Sequence, residues 1–256
     1  TLLDGYNKLG KWAVYLYLFV TIGTMFALQA AVTIVTAGLF SYIFPDFLSI
    51  SQWAALLLIL ISLMVIVGKY SVLDKMIKVI IIILSISTII AVISSLSKGF
   101  HPDPNLISKF DWSLKDVAFL IAFAGWMPTA IDVSVWHSFW TVARRKETGY
   151  APKIKEALFD FNIGYFGTFI LAIGFLSLGA LIMYGSGLTF SSSGSEFAGQ
   201  LINLYTSSMG SWAYAIIAIA AIATMFSTTL TCLDAYPRVL RSASEMILPR
   251  LKSERE

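Results

Sequence analysis

Residues 122–138 read AFAGWMPTAIDVSVWHS, a stretch that sets a glycine, a proline, an aspartate and a histidine inside an otherwise apolar run. Pro128 has no N–H to donate and its ring crowds the preceding turn, while Gly125 adds backbone freedom just before it. A helix entering this stretch is expected to break, so carbonyls around residues 124–127 lose their intrahelical partners. In hydrocarbon those carbonyls must be satisfied by something else. Many secondary transporters use discontinuous helices near the bilayer midplane to present such carbonyls to a cation. A plain proline kink satisfied by neighbouring helices is the alternative for Pro128 alone. Met127, Asp132 and His137 beside it favour function.

The rest of the chain supplies the membrane. Of its 256 residues 57% are hydrophobic and 13% charged, with a mean hydropathy of +0.79. A soluble domain is about 45–50% apolar and about 25% charged. The composition excludes an ordinary soluble domain, a disordered chain, a collagen-like fibre and a coiled coil. A net charge of +3 with no basic stripe gives no nucleic-acid partner. The single Cys232 excludes an internal disulfide and a cysteine metal cluster.

A spanning helix needs about 20 mostly apolar residues. Six runs meet that length, at residues 12–44, 47–68, 79–97, 117–143, 161–184 and 212–237. None alternates as a barrel strand does, so the fold class is all-α, a polytopic membrane helix bundle with the lipid bilayer as its surroundings. Residues 1–256 form a single transmembrane domain in this reading, and the start at Thr1 suggests a fragment of a longer transporter. The first apolar run is too long for a signal peptide.

Loop charge sets the orientation. Fifteen of the eighteen Lys and Arg residues fall within residues 8–11, 69–78, 144–155 and 238–255, all on one side if the loops alternate. Only Lys98, Lys109 and Lys115 fall on the other side. Cytoplasmic loops carry the basic excess, so both termini of the chain are expected in the cytoplasm and the location is the cell (inner) membrane. Two outside loops follow, residues 101–115 and 185–210. Within the second, residues 196–205 can form an amphipathic interfacial helix.

Several polar residues are candidates for a path through the bundle. Asp132 is an ionisable group in a span, where burial of its charge is expensive. A structural Asp held by the broken backbone, Thr129 or Trp136 is the competing reading. His137 lies about one turn from Ser134 and Thr141 and can relay protons at neutral pH, or simply be a hydrogen-bonded interface histidine. Gln29 sits in the middle of the first span. Asp160 and Asp234 lie near the inner ends, and Ser227, Thr228, Thr229 and Thr231 can bond their own helix. A hydrolase built from Ser134, His137 and Asp132 fails on geometry, since one helix supplies no oxyanion hole. No enzyme activity is expected.

The residues Ala124-Gly125-Trp126-Met127-Pro128 resemble the Nramp family of divalent metal transporters, the natural resistance-associated macrophage proteins. Their sixth helix carries Ala-x-x-Met-Pro, with His-Ser further down. The resemblance implies a LeuT-type fold of two inverted five-helix repeats, of which this chain covers helices three to eight. It also implies metal binding by the Ala124 carbonyl and the Met127 sulfur. A soft thioether suits transition metals over Mg²⁺ and Ca²⁺. The substrate implied is a divalent metal cation of the Mn or Fe kind, with a proton as co-substrate and no resident cofactor. Residues 222–229, IATMFSTT, look like the family's eighth helix. Ile22-Gly-Thr-Met-Phe26 echoes Ile222-Ala-Thr-Met-Phe226 in the helix that the inverted repeat makes its mate.

The departures are specific. The family's Asp-Pro-Gly-Asn motif of the first helix is absent. Gln29 stands in the region of the third helix where the family places acidic groups. Thr129 replaces the histidine after Met-Pro, Ser134 holds the second histidine position, and His137 follows one turn later. Asp132 then stands in for a family histidine on the proton or ion path, with His137, Thr129, Ser134 and Gln29 as its companions. Two other classes remain open: another LeuT-fold carrier of the amino-acid permease type, and a non-transport membrane subunit.

Overall fold

The computed structural model describes residues 1–67, 71–99, 112–126, 129–130, 132–184, 191 and 193–248, apart from the side chains of residues 71–77, 126 and 147. The elements are α1 (Leu2–Leu9), α2 (Lys11–Ile43), α3 (Ile50–Val67), α4 (Ser71–Lys98), α5 (Leu114–Trp126), α6 (Val133–Thr148), α7 (Ile154–Leu178), α8 (Gly194–Met209) and α9 (Ala213–Ile247). A π-helical turn, Gly179–Met183, prolongs α7. Every regular element among the described residues is helical, as the charge-free runs require.

Five helical segments are long and apolar enough to cross a membrane: Lys11–Ile43, Ile50–Val67, Lys78–Lys98, Ile154–Met183 and Ala213–Ile247. This is the pattern of a multi-pass membrane protein. They correspond to five of the six expected runs, and α2, at 33 residues, is about 50 Å long, enough to span with tilt. The remaining run, 117–143, is two helices of 13 and 16 residues, each too short to qualify alone. The expected break is present at Thr129 and Ala130, which are non-helical between α5 and α6. Met127 and Pro128 lie outside the described residues, as do residues 101–111 of the expected loop 101–115.

The chain divides into two compact units. Unit 1 comprises Thr1–Gln29, Trp112–Phe166 and Cys232–Glu256. In it α1, absent from the sequence reading, is started by Thr1 and Asp4 as a reciprocal cap. The α1 residue Leu3 is fully buried, and Leu2 N–H donates to Ser138 Oγ of α6 at 3.0 Å. Unit 2 comprises Ala30–Asp111 and Gly167–Thr231. Its larger core cluster gathers Leu39, Ala91, Leu178, Ile202 and Ile217.

Close packing in unit 2 depends on glycine. A Cβ at Gly38 of α2 would run into the backbone of Gly194, at the start of α8, and a Cβ at Gly199 would run into the Tyr42 ring. Hydroxyl pairs complete the contact, Thr88 with Tyr205 at 2.9 Å and Ser95 with Ser208 at 2.7 Å. The Lys98 ammonium donates to the carbonyls of Ser207 and Ser208 at the end of α8, where the helix dipole is negative. Burial pushes the Tyr205 hydroxyl up to about 12, so it acts as a neutral donor throughout the physiological range. The expected interfacial helix at 196–205 is thus the middle of α8, which runs two residues further upstream and four further downstream.

Candidate functional site: a buried aspartate at a helix break

The site in unit 1 is built around the gap between α5 and α6. The carbonyl of Ala124 sits in the last turn of α5, and its usual donor four residues on is Pro128, which has no N–H. The Ala124 side chain is exposed. Thr129 and Ala130 are half-buried and non-helical, and the chain re-enters helix when Val133 N–H donates to the Ala130 carbonyl at 3.2 Å.

Asp132 takes the N-cap position of α6 and is 2% exposed. Its side chain does not cap the helix. Instead the Tyr236 hydroxyl of α9 donates to Asp132 Oδ2 at 3.0 Å, and the Tyr17 hydroxyl of α2 donates to the Asp132 carbonyl oxygen at 2.9 Å. Trp136, one turn along α6, packs edge-on to Tyr236 with ring centroids 5.0 Å apart. The Thr21 hydroxyl and the Trp136 indole N–H are buried without a hydrogen-bond partner among the described residues. Cys232, a turn before Tyr236 on α9, is buried.

No Lys or Arg pairs with Asp132 among the described residues. The nearest basic group in sequence on α9, Arg238, is engaged with Asp234 by hydrogen bonds of 2.7 and 2.9 Å. Asp234 is buried, and the Trp140 indole of α6 donates to it at a long 3.4 Å. A carboxylate in apolar surroundings is costly unless hydrogen bonds or a counter-charge compensate it, and here the Tyr236 hydroxyl donates to it.

The other candidates are placed as follows. Ser134 is half-buried on the first turn of α6. His137 is on the exposed side of α6, ringed edge-on by Trp140 at 5.9 Å and Phe161 at 6.1 Å. Gln29 is half-buried on α2. Asp160 is exposed on α7. The structure gathers Asp132 with Trp136, which the sequence offers as a partner for it, and with Tyr17 and Tyr236, which no sequence pattern singles out. The available signal was the aromatic hydroxyl itself, since a tyrosine inside a span must find a polar partner.

The chain is 34% identical over 257 residues to an uncharacterized protein of Pasteurella multocida strain Pm70, a match that covers 99% of this chain and 59% of that protein. The chain thus spans less than two thirds of the length of the curated relative it matches. No family model matches it, and no solved structure matches it significantly.

Proposed function

We propose that the protein is part of a secondary transporter that moves divalent metal cations of the Mn or Fe kind across the cell (inner) membrane by alternating access. The observation that supports this reading is the break between α5 and α6, where Thr129 and Ala130 are non-helical and the buried Asp132 follows at the start of α6. In this reading residues 117–143 cross the membrane as a sixth, broken span of a LeuT-type bundle. Both termini of the chain lie in the cytoplasm, as the basic loops require. The Ala124 carbonyl and the Met127 sulfur hold the metal, with further ligands from helices outside this chain. Asp132 carries the coupled proton, and His137, Thr129, Ser134 and Gln29 line the path.

A carrier of small organic substrates is the second reading. The Trp136 N–H and Thr21 hydroxyl, buried without a hydrogen-bond partner among the described residues, favour it, because both suit an organic acceptor better than a metal ion. Uptake by the full-length protein in proteoliposomes separates the two. Saturable Mn²⁺ uptake that competing Fe²⁺ suppresses supports the metal reading. Amino-acid uptake with no metal uptake overturns it.

A further inference from the structure

We infer that Tyr236 is a positioning residue, one that holds the Asp132 carboxylate away from the N-terminus of α6 and so ties the helix break to α9. The use of this tie in transport rests on the reading above; its geometry does not.

Aspartate is among the best N-cap residues, its carboxylate normally accepting from the N–H of the second or third helical residue. Here those are Ser134 and Val135. Asp132 occupies the cap position yet makes no cap bond, and its φ of −67° and ψ of −29° are helical where a cap is usually extended. Val135 N–H reaches only the Asp132 carbonyl oxygen, at a long 3.4 Å. The carboxylate has been drawn to another helix, where Tyr236 Oη donates to it. Two competing partners, the α6 N-terminus and Tyr236, are thus offered to one carboxylate.

Both sides of this choice are prepared for movement. Ahead of α6, Thr129 and Ala130 are already non-helical. On α9 the residue after Tyr236 is Pro237, which sits inside the helix and leaves the Leu233 carbonyl without its i+4 donor. Trp136 fixes the Tyr236 ring edge-on, so the hydroxyl itself stays in place while the carboxylate chooses. A cation arriving beside Asp132 attracts the carboxylate and competes with Tyr236 for it. Loss of the Tyr236 bond then frees the α9 face that carries Tyr236 and Cys232.

Cys232 is the natural reporter, buried on the same face of α9 one turn away and the sole cysteine of this sequence. The experiment follows N-ethylmaleimide alkylation of the Cys232 peptide by mass spectrometry in the purified full-length protein. Tyr236→Phe is expected to raise the alkylation rate about tenfold, the factor set by one ordinary buried hydrogen bond. Asp132→Ser, which can cap α6 but is too short to reach Tyr236, is expected to do the same. Asp132→Asn keeps an acceptor and is expected to stay near the wild-type rate. The double variant Asp132→Ser/Tyr236→Phe is expected to add nothing to either single variant. Unchanged alkylation in Tyr236→Phe, or additive effects in the double variant, overturns the inference. Tyr205→Phe removes a hydroxyl bond in unit 2 and serves as the folding control; a matching rise there means general loosening and also overturns it. The alkylation needs no metal. Absent metal uptake with an intact Cys232 response therefore sinks the transport reading alone, and the converse result sinks this inference alone.

Discussion

Tyr236 and Asp132 stand 104 residues apart in the chain and meet through a hydrogen bond of 3.0 Å. The bond is buried at both ends, and no Lys or Arg neutralises the carboxylate among the described residues. Removal of either partner leaves the other without compensation in an apolar setting. Tyr236→Phe should therefore destabilise the protein by about 1–3 kcal/mol, the cost of stranding a buried acceptor. Thermal unfolding in detergent measures this, and a melting temperature equal to wild type would refute it.

Two buried threonines should respond in opposite ways to the same substitution. Thr229 in unit 2 shares a hydrogen bond of 2.9 Å with Thr36, and Thr36 also donates to the Met225 carbonyl at 3.2 Å. Thr229→Val breaks this pair and should cost about 0.5–1.5 kcal/mol. The Thr21 hydroxyl is fully buried and completes no hydrogen bond among the described residues. Thr21→Val replaces an unsatisfied hydroxyl by a methyl group of similar size and should be neutral, or stabilising by up to about 1 kcal/mol. Equal losses in the two variants would show that Thr21 has a partner in the working protein.

Glycine substitutions give the same kind of contrast. At Gly38 the new methyl group meets the backbone of Gly194, which cannot swing aside as a side chain can. Gly38→Ala should cost about 1–3 kcal/mol as overpacking and should loosen α8. Gly167 lies inside α7 with nothing within 4 Å of an added Cβ. Gly167→Ala should stabilise the helix by about 0.5–1 kcal/mol. Limited proteolysis near residues 185–192, together with thermal unfolding, reads both effects.

These relationships show where the sequence was informative. Five long helices were legible because hydrocarbon excludes charge and fixes length, so residues such as Lys11 and Lys98 mark helix ends directly. The break was legible because Pro128 lacks a donor whatever surrounds it. The partners of Asp132 were not legible, because Tyr17 and Tyr236 reach it only through tertiary packing that no local pattern encodes. The helix α1 was missed for a related reason. Its eight residues carry apolar positions at helical spacing too briefly to stand out before a 33-residue apolar helix, and its contact with Ser138 is 136 residues away in sequence.

Loop charge makes the topology testable. Lys and Arg near span ends resist translocation, and fifteen of eighteen lie on one side of the expected bundle. Alkaline phosphatase fused after residue 104 should be active and a fluorescent protein fused there dark. Fusions after residue 150 should show the reverse. The two positions flank the broken run 117–143, so the pair also asks whether α5 and α6 together complete one crossing. Equal phosphatase activity at both positions would place the break in a re-entrant segment and remove the sixth span.

The strongest test of the metal reading falls on Met127. Carboxylates and carbonyls bind hard and borderline cations alike, so oxygen ligands alone do not exclude abundant Ca²⁺ or Mg²⁺. A thioether adds favourable contact for a softer ion and little for a harder one. Met127→Ala should therefore weaken uptake of Mn²⁺-like or Fe²⁺-like ions more than it weakens uptake of Ca²⁺. A loss of about 1–2 kcal/mol of selective contact corresponds to about a five- to thirtyfold fall in discrimination. The measurement is uptake by the full-length protein in proteoliposomes, wild type against variant, with Mn²⁺ and Ca²⁺ supplied separately. Met127→Leu fills the same space without the sulfur and should lose discrimination as Met127→Ala does. If Met127→Leu instead keeps wild-type selectivity, the side chain contributes volume alone. The metal assignment to Ala124 and Met127 then falls with it.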